Sequence, residues 1–546
     1  MRGRAIGIIA AIALVAAAVG LAVRGWTSGE SSGAGAQSAS PFPDRIETGA
    51  NRTSVLLIVL DTLRADRLGC YGYPLPTSPN IDALAEESVR FTRAISTAPW
   101  TLPAHASLFT GLFPFEHGVH RVQRTAEHPG DSPAENSGDP TAPQPEASAS
   151  APAAPAFDPN VRSVFLPEMD AQHATLAEFL LKRGYRTAAF IANAAMLDRR
   201  FRLDAGFEQY VIPRTYELHE PRLKPPASEI VAPYLAWLDV RQRERDAERP
   251  NFVFLNFMDT HVPFRSGPRP GLPEAPLRPI GHKRMYEEVD RMQRGQPLSD
   301  RFFESFSRQY DQAVANLDED VGRMFAAMRE KGCWDDWMII VLADHGECLG
   351  EHSYAGHVAS MHEPVLRVPL IVKYPRRRAG SVDDRLISLA DVPRLITAAI
   401  GEMDMEASRV FPHAIGSHPV VAENYYPAEQ RPAGYPAANT IFRAVYQDDF
   451  KLVFTPTGWR QLYNLRDDAS ELRDRSEEFP DVCDRLKDSW TAFERSRPTF
   501  AGFRPAAGTS GAKRNQLHGL GYLQDDQPGD DHPETQPFPR APAGGI

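Results

Sequence analysis

The run Ser54-Val-Leu-Leu-Ile-Val-Leu60 is closed by Asp61. A continuous apolar run of this length predicts a strand covered on both faces, as in the middle of a parallel sheet. The pattern recurs down the chain. Phe252-Val-Phe-Leu-Asn-Phe-Met258 ends in Asp259-Thr-His261, and Trp337-Met-Ile-Ile-Val-Leu-Ala343 ends in Asp344-His345. Arg186 to Ile191 and Leu370 to Tyr374 read as further strands. Helical patterns lie between them, around Ile81 to Phe91, Ala174 to Arg183 and Gln309 to Arg329. In the last, Val314, Leu317, Val321 and Met324 share one face. Strand–helix alternation predicts an α/β fold with a mostly parallel central sheet and helices on both faces. From Gly416 to Arg497, short strands and a closing helix predict a small C-terminal α+β subdomain.

Composition narrows the class. The chain has 546 residues, 42% of them hydrophobic and 24% charged, which suits a folded body and excludes a polytopic membrane protein. The net charge of −11 argues against a nucleic-acid partner. Four cysteines without CxxC spacing form no disulfide framework. Arg2 and Arg4 precede a charge-free run from Ala5 to Val23, about 28 Å long as a helix. It is expected to be a signal anchor or a cleaved signal peptide, which places the body outside the cytoplasm. The expected organisation is then 1–26 for this segment and 27–52 for a flexible linker. A catalytic domain follows at 53–410, with a disordered insertion at about 125–159. The subdomain takes 411–500, and a mostly disordered tail takes 501–546.

Parallel α/β sheets bind ligands at the carboxyl ends of their strands. Three predicted strands end in Asp61, in Asp259 with His261, and in Asp344 with His345. Carboxylate with imidazole is the ligand set of a divalent metal, and clustered carboxylates repel one another unless a cation lies among them. Trp100-Thr101-Leu-Pro103-Ala-His105-Ala-Ser107-Leu-Phe-Thr-Gly111 supplies a helix with Thr101 at its cap, Pro103 in the first turn and Gly111 at the stop. A helix N-terminus favours an anion, and a hydroxyl there beside a metal is a candidate nucleophile.

These residues resemble the sulfatase family of the alkaline phosphatase superfamily. The matching motifs are Leu60-Asp61-Thr-Leu-Arg64-Ala-Asp66-Arg-Leu-Gly-Cys-Tyr-Gly72, Ser78-Pro-Asn-Ile-Asp-Ala-Leu-Ala85, the Thr101 to Gly111 element, Gly184-Tyr-Arg-Thr-Ala188, His261-Val-Pro263, Ala343-Asp-His-Gly-Glu347 with Leu349-Gly-Glu-His352, and Arg367-Val-Pro-Leu-Ile-Val372. The resemblance covers about residues 53 to 495 and implies an alkaline-phosphatase-like fold. There are departures from the family pattern. Sulfatases oxidise a Cys or Ser at the head of their helix to formylglycine; Thr101 carries a methyl on Cβ and cannot yield that aldehyde. His105 stands where an Arg would anchor the anion, Thr62 where a second metal-binding Asp is usual, and His357 near a sulfate-contacting Lys.

The resemblance therefore implies one divalent metal, of calcium, magnesium, manganese or zinc, held by Asp61, Asp344 and His345 with Thr101 as fourth ligand. It implies His261 as donor to the leaving oxygen, and His357 and His105 on the anion's oxygens. His117 and His120 read as structural turn residues, and Asp259 as weak support for a second metal. The expected function is an exported, metal-dependent hydrolase of sulfate or phosphate esters, small-molecule or glycan or lipid, acting through Thr101. The alternatives are an envelope phosphoethanolamine- or phosphoglycerol-type transferase and a non-catalytic anion-binding relative. The membrane is the expected partner through the N-terminal segment.

Overall fold

The structure, a computed structural model, describes most residues from Thr53 to Pro498. Outside the description lie 1–52, 121–122, 126–162, 166–167, 214–223, 245–247, several positions between 279 and 295, 426–440 and 499–546. The expectations for the N-terminal segment, the linker, the insertion and the tail fall on those residues. Among the described residues no helix is long and apolar enough to cross a membrane.

The main elements in chain order are β1 (Ser54–Leu60), α1 (Pro79–Ala85), β2 (Val89–Ile95), α2 (Thr101–Thr110), α3 (Leu176–Lys182), β3 (Arg186–Ile191), β4 (Gln209–Val211), α4 (Ser228–Gln242), β5 (Asn251–Phe257), α5 (Asp300–Glu330), β6 (Trp337–Leu342), β7 (Arg367–Lys373), β8 (Ser381–Ser388) and α6 (Val392–Ala399). The eight strands form one sheet in the order β8-β2-β7-β6-β1-β5-β3-β4. Only β7 runs against the others, pairing antiparallel with β2 and β6. Every residue of β1, β5 and β6 is buried, the signature of strands covered on both faces. The fold is the expected α/β class.

Two local readings change. The helix expected from Ile81 to Phe91 ends at Ala85, and β2 begins at Val89. Val89 and Phe91 are buried while Arg90 and Thr92 are half-buried, so the period there is two and not 3.6. β8 was not expected. It is an edge strand carrying Asp383, Asp384 and Arg385, and an edge strand needs no continuous apolar face.

α5 shows how the helices serve the sheet. Phe306, Ala313, Val314, Leu317, Val321 and Met324 are buried. Buried polar groups on the same helix tie down neighbours. Asp318 accepts from the backbone N–H groups of Asn80 at 3.0 Å and Ile81 at 2.8 Å, satisfying the open N-terminus of α1. Tyr310 donates to the Thr62 carbonyl at 2.7 Å and accepts from Arg64 N at 2.8 Å, which fixes the turn after β1.

The C-terminal part is a four-stranded antiparallel meander of β9 (Val420–Asn424), β10 (Phe442–Gln447), β11 (Phe450–Phe454) and β12 (Arg460–Asn464), covered by α7 (Pro480–Arg495). Leu486, Trp490 and Phe493 of α7 pack with Phe113 and Phe115, just past α2. All four cysteines are unbridged.

Candidate active site

Four adjacent parallel strands, β6-β1-β5-β3, end on the same edge. Past their carboxyl ends come Asp344, Asp61, the Asp259–His261 turn and Asn193 respectively. β2 ends on the same edge and leads through Trp100 into α2.

Thr101 is the first residue of α2 and not its cap. Trp100 occupies the cap position and makes no side-chain cap bond. Thr101 Oγ1 lies 3.3 Å from His345 Nε2. His345 Nδ1 faces the Gly346 carbonyl at 3.0 Å. A carbonyl only accepts, so Nδ1 carries the proton and Nε2 presents a lone pair. That lone pair lies 3.4 Å from Asp344 Oδ2 and 3.8 Å from Asp61 Oδ1. Asp61, Asp344 and His345 bring one ligand atom each to within 4.8 Å of one another. Glycine is required at 346, because a Cβ there would lie 2.1 Å from the Pro364 carbonyl oxygen.

The two carboxylates are held by their other oxygens. Asn193 Nδ2 donates to Asp61 Oδ2 at 2.9 Å. The backbone N–H groups of His345 and Thr62 donate to Asp344 Oδ1 at 2.9 and 3.3 Å. Asp61 Oδ1 and Asp344 Oδ2 are left without a well-aligned donor. Burial, and then the Asp344 charge, pushes Asp61 up to about 8. Burial pushes Asp344 up to about 7. Burial pulls His345 down to about 4, which keeps its ring neutral at neutral pH. Two orphaned carboxylate oxygens and an imidazole lone pair at one point fit a divalent cation.

Thr62 sits at φ 61°, a left-handed conformation rare for a β-branched residue. Its hydroxyl turns to the Asp61 carbonyl at 2.6 Å, so only its N–H serves the site.

The other expected residues separate. His357 is buried beside the cluster, its ring centroid 4.5 Å from His345 and 5.2 Å from His261. A short antiparallel pairing of Cys348–Leu349 with Ala355–Gly356 folds the chain back, and His357 Nδ1 meets both Glu347 oxygens at 3.2 Å. Burial lowers His357 to about 3 and raises Glu347 to about 8. His261 Nδ1 faces the Val262 carbonyl at 2.7 Å, which assigns its proton to Nδ1. Burial, then His357, holds His261 well below the usual imidazole range. His105 is fully buried in the first turns of α2. Its Nδ1 faces the Thr101 carbonyl at 2.9 Å and Asp344 Oδ2 at 3.4 Å, and its ring lies edge-on to Phe109 and Phe254. Its Nδ1 bond is to the carbonyl of its own helix, and its buried Nε2 has no hydrogen-bond partner among the described residues. Asp259 pairs with Arg265 at 3.0 Å and stands outside the ligand cluster. His117 accepts from Val119 N through Nδ1, so its Nε2 donates to Ser107, in keeping with a structural turn.

A second set, His352, His362 and Glu471, also places ligand atoms within 4.8 Å. There the Lys451 ammonium already stands 2.7 Å from Glu471 and 3.0 Å from Glu363, so the ligating carboxylate of that set, Glu471, has a cation without a metal.

A family model described as Sulfatase matches residues 53–401. The chain belongs to the sulfatase family. It is accordingly a sulfate or phosphate ester hydrolase of a family that generally depends on divalent metals. It is 28% identical over 397 residues to a multifunctional alkaline phosphatase superfamily protein, PehA, of Trinickia caryophylli, covering 64% of this chain and 74% of the relative. It is 26% identical over 385 residues to human iduronate 2-sulfatase, covering 61% and 62%. In fold it resembles the phosphonate monoester hydrolase of Agrobacterium radiobacter, with a TM-score of 0.56 at 19% identity over 82% of this chain and 96% of that one. Within this sulfatase, Asn193 and Glu347 are the side chains at the site whose contacts the sequence did not announce.

Proposed function

We propose that the protein is an exported, metal-dependent hydrolase of sulfate or phosphate esters in which Thr101 is the covalent nucleophile. The observation that carries this reading is the meeting of Thr101 Oγ1, His345 Nε2, Asp344 Oδ2 and Asp61 Oδ1 at the sheet edge. Asp61, Asp344, His345 and Thr101 would hold one divalent ion, which lowers the hydroxyl's pKa and offsets charge on the transferred group. Export rests on the charge-free run from Ala5 to Val23 behind Arg2 and Arg4.

In the first step Thr101 Oγ1, as the alkoxide, forms a bond to sulfur or phosphorus while the bond to the leaving oxygen breaks. The start of α2 points its N–H groups at the developing negative charge. His261 Nε2 takes up a proton when the anionic ester arrives, because the ester's charge compensates for the ring's burial. That proton passes to the leaving oxygen. Water then bonds to sulfur or phosphorus while the bond to Thr101 Oγ1 breaks and frees that oxygen, and the neutral His261 Nε2 takes the water's proton. His357, pinned through Nδ1 by Glu347, borders the oxygens of the transferred group.

Turnover of paired aryl sulfates, aryl phosphates and aryl phosphodiesters by the metal-loaded protein tests the reading. Multiple turnover of at least one ester, abolished by chelation and restored by a divalent ion, is the expected result. Stoichiometric binding of the esters without cleavage would leave a non-catalytic relative. Cell fractionation that recovers the chain in the cytoplasm would remove the exported part.

A further inference from the structure

Lys224 stands four residues before α4 and makes an arrangement of its own. Its Nζ donates to the backbone carbonyl oxygens of Met258 at 2.6 Å and Asp259 at 3.3 Å, and to that of His261. All three belong to the turn after β5 that carries His261. Three carbonyl dipoles aimed at one point repel one another unless a cation or donor fills it. The ammonium fills it with its three N–H groups.

The same turn has a separate anchor. Thr260 Oγ1 donates to the Asp61 carbonyl at 2.5 Å, and Asp61 N donates to Phe257 O at 2.9 Å. Those bonds tie the turn to β1. Arg265, 3.0 Å from Asp259 and 2.7 Å from Asp320, ties the Asp259 side chain to α5, and the Lys224 ammonium is what gathers the turn's three carbonyls. The charged groups facing Lys224 are Asp259, Asp61 and Glu347, which favour the ammonium, and Arg265, which opposes it.

We infer that Lys224 is a positioning residue for His261: its ammonium gathers the Met258, Asp259 and His261 carbonyls and thereby sets where the imidazole sits over the reacting ester. The inference rests on the proposed role of His261. It deepens that role, because the group that moves the proton then depends on a cation bonded to the backbone of its own turn. Burial pulls this amine down to about 7, so its hold on the turn weakens on the alkaline side.

The test is Lys224→Ala in the full chain with a divalent metal present. A misplacement of about 1 Å costs roughly 10²-fold in rate, so kcat is expected to fall by about that factor with KM little changed. Added propylammonium, which replaces the missing stem and charge, should restore kcat in a saturable way. Crystal structures of parent and variant should show the His261 ring displaced in the variant and returned by the amine. An unchanged kcat, or a loss that the amine does not restore with His261 in its parental place, overturns the inference. If the parent itself turns over no ester, the proposed function falls. The crystal structures alone then decide the inference, a displaced ring supporting it and an unmoved ring overturning it. If Lys224→Ala does not fold, Lys224→Met keeps the apolar stem, and its kcat and ring position are read in the same way.

Discussion

Asn193 Nδ2 donates to Asp61 Oδ2 at 2.9 Å, and this one bond decides which Asp61 oxygen is left for a cation. The amide is itself held twice. Its Oδ1 accepts from Met196 N at 3.0 Å, and its backbone N–H donates to Asn256 Oδ1 at 2.8 Å. A partner that orients a metal ligand typically contributes 10–100-fold in metal affinity. Asn193→Ala should therefore weaken divalent-ion binding by about that factor, and should also lower the melting temperature because Met196 N and Asp61 Oδ2 lose their partner. Calorimetric titration of the metal-free protein with manganese or zinc measures the affinity. Parental affinity in the variant would mean that Asp61 is oriented by its backbone alone.

Metal binding should release protons, and the sign follows from the carboxyl groups. Without a cation, burial raises Asp61 to about 8 and Asp344 to about 7, so near pH 6.5 both hold protons in the folded chain. A bound ion needs them ionised, so about two protons leave per ion. Apparent affinity then rises with pH and levels off above about 8. His345, already neutral, adds little. Proton release is read by titration in buffers of different ionisation enthalpy. Asp344→Asn removes one of the two protons and most of the affinity. Binding whose affinity did not change from pH 6 to 8 would place the ion elsewhere.

The sequence made part of this site legible for a physical reason. Asp61, Asp344 and His345 each follow an apolar run, and a parallel sheet gathers the carboxyl ends of such runs on one edge. Thr101 was visible as the head of a helix, although it proves to be the first helical residue and Trp100 the cap. Asn193 also ends a strand, but an amide after a strand looks like any turn former. Glu347 and His357 meet only because Cys348–Leu349 pairs with Ala355–Gly356, and two-residue strands leave no periodicity. Lys224 acts on a turn more than thirty residues away, a relationship that only the packed fold creates. The burial of His105 between Phe109 and Phe254 likewise depends on β5 and left no mark in the local sequence.

The Lys451 ammonium makes a prediction about stability alone. Lys451 and Glu471 are both fully buried and 2.7 Å apart. Burial would raise Glu471, but Lys451 and His362 pull it down to about 2, so its charge depends on these partners. Removing one partner of a buried pair leaves an uncompensated charge and costs about 3–5 kcal/mol. Lys451→Met should lose that much in urea unfolding. The paired change Lys451→Met with Glu471→Leu should recover part of it, because the fully buried Glu471 charge is then gone and only the partly exposed Glu363 loses its cation. A loss below about 1 kcal/mol in the single variant would mean that water reaches Glu471.

The Thr101 hydroxyl decides the chemistry. Thr101 Oγ1 lies 3.3 Å from His345 Nε2 at the first residue of α2, where Trp100 and not Thr101 is the cap. Thr101→Ala is expected to keep its melting temperature and lose turnover by orders of magnitude, as removal of a covalent nucleophile does. Thr101→Ser keeps the oxygen and should retain measurable activity with no modifying enzyme. Thr101→Cys should stay inactive as the plain thiol and gain activity only when co-expressed with a formylglycine-generating system, because only that oxidation supplies a hydrated aldehyde in place of the hydroxyl. Trapping gives the direct readout: a reaction with a slow ester, quenched in acid, should add the mass of the sulfo or phospho group to the peptide that holds Thr101. If Thr101→Ala turned over substrate like the parent and the peptide gained no mass, the attacking oxygen would belong to water, and Thr101 would serve only to complete the ligand cluster.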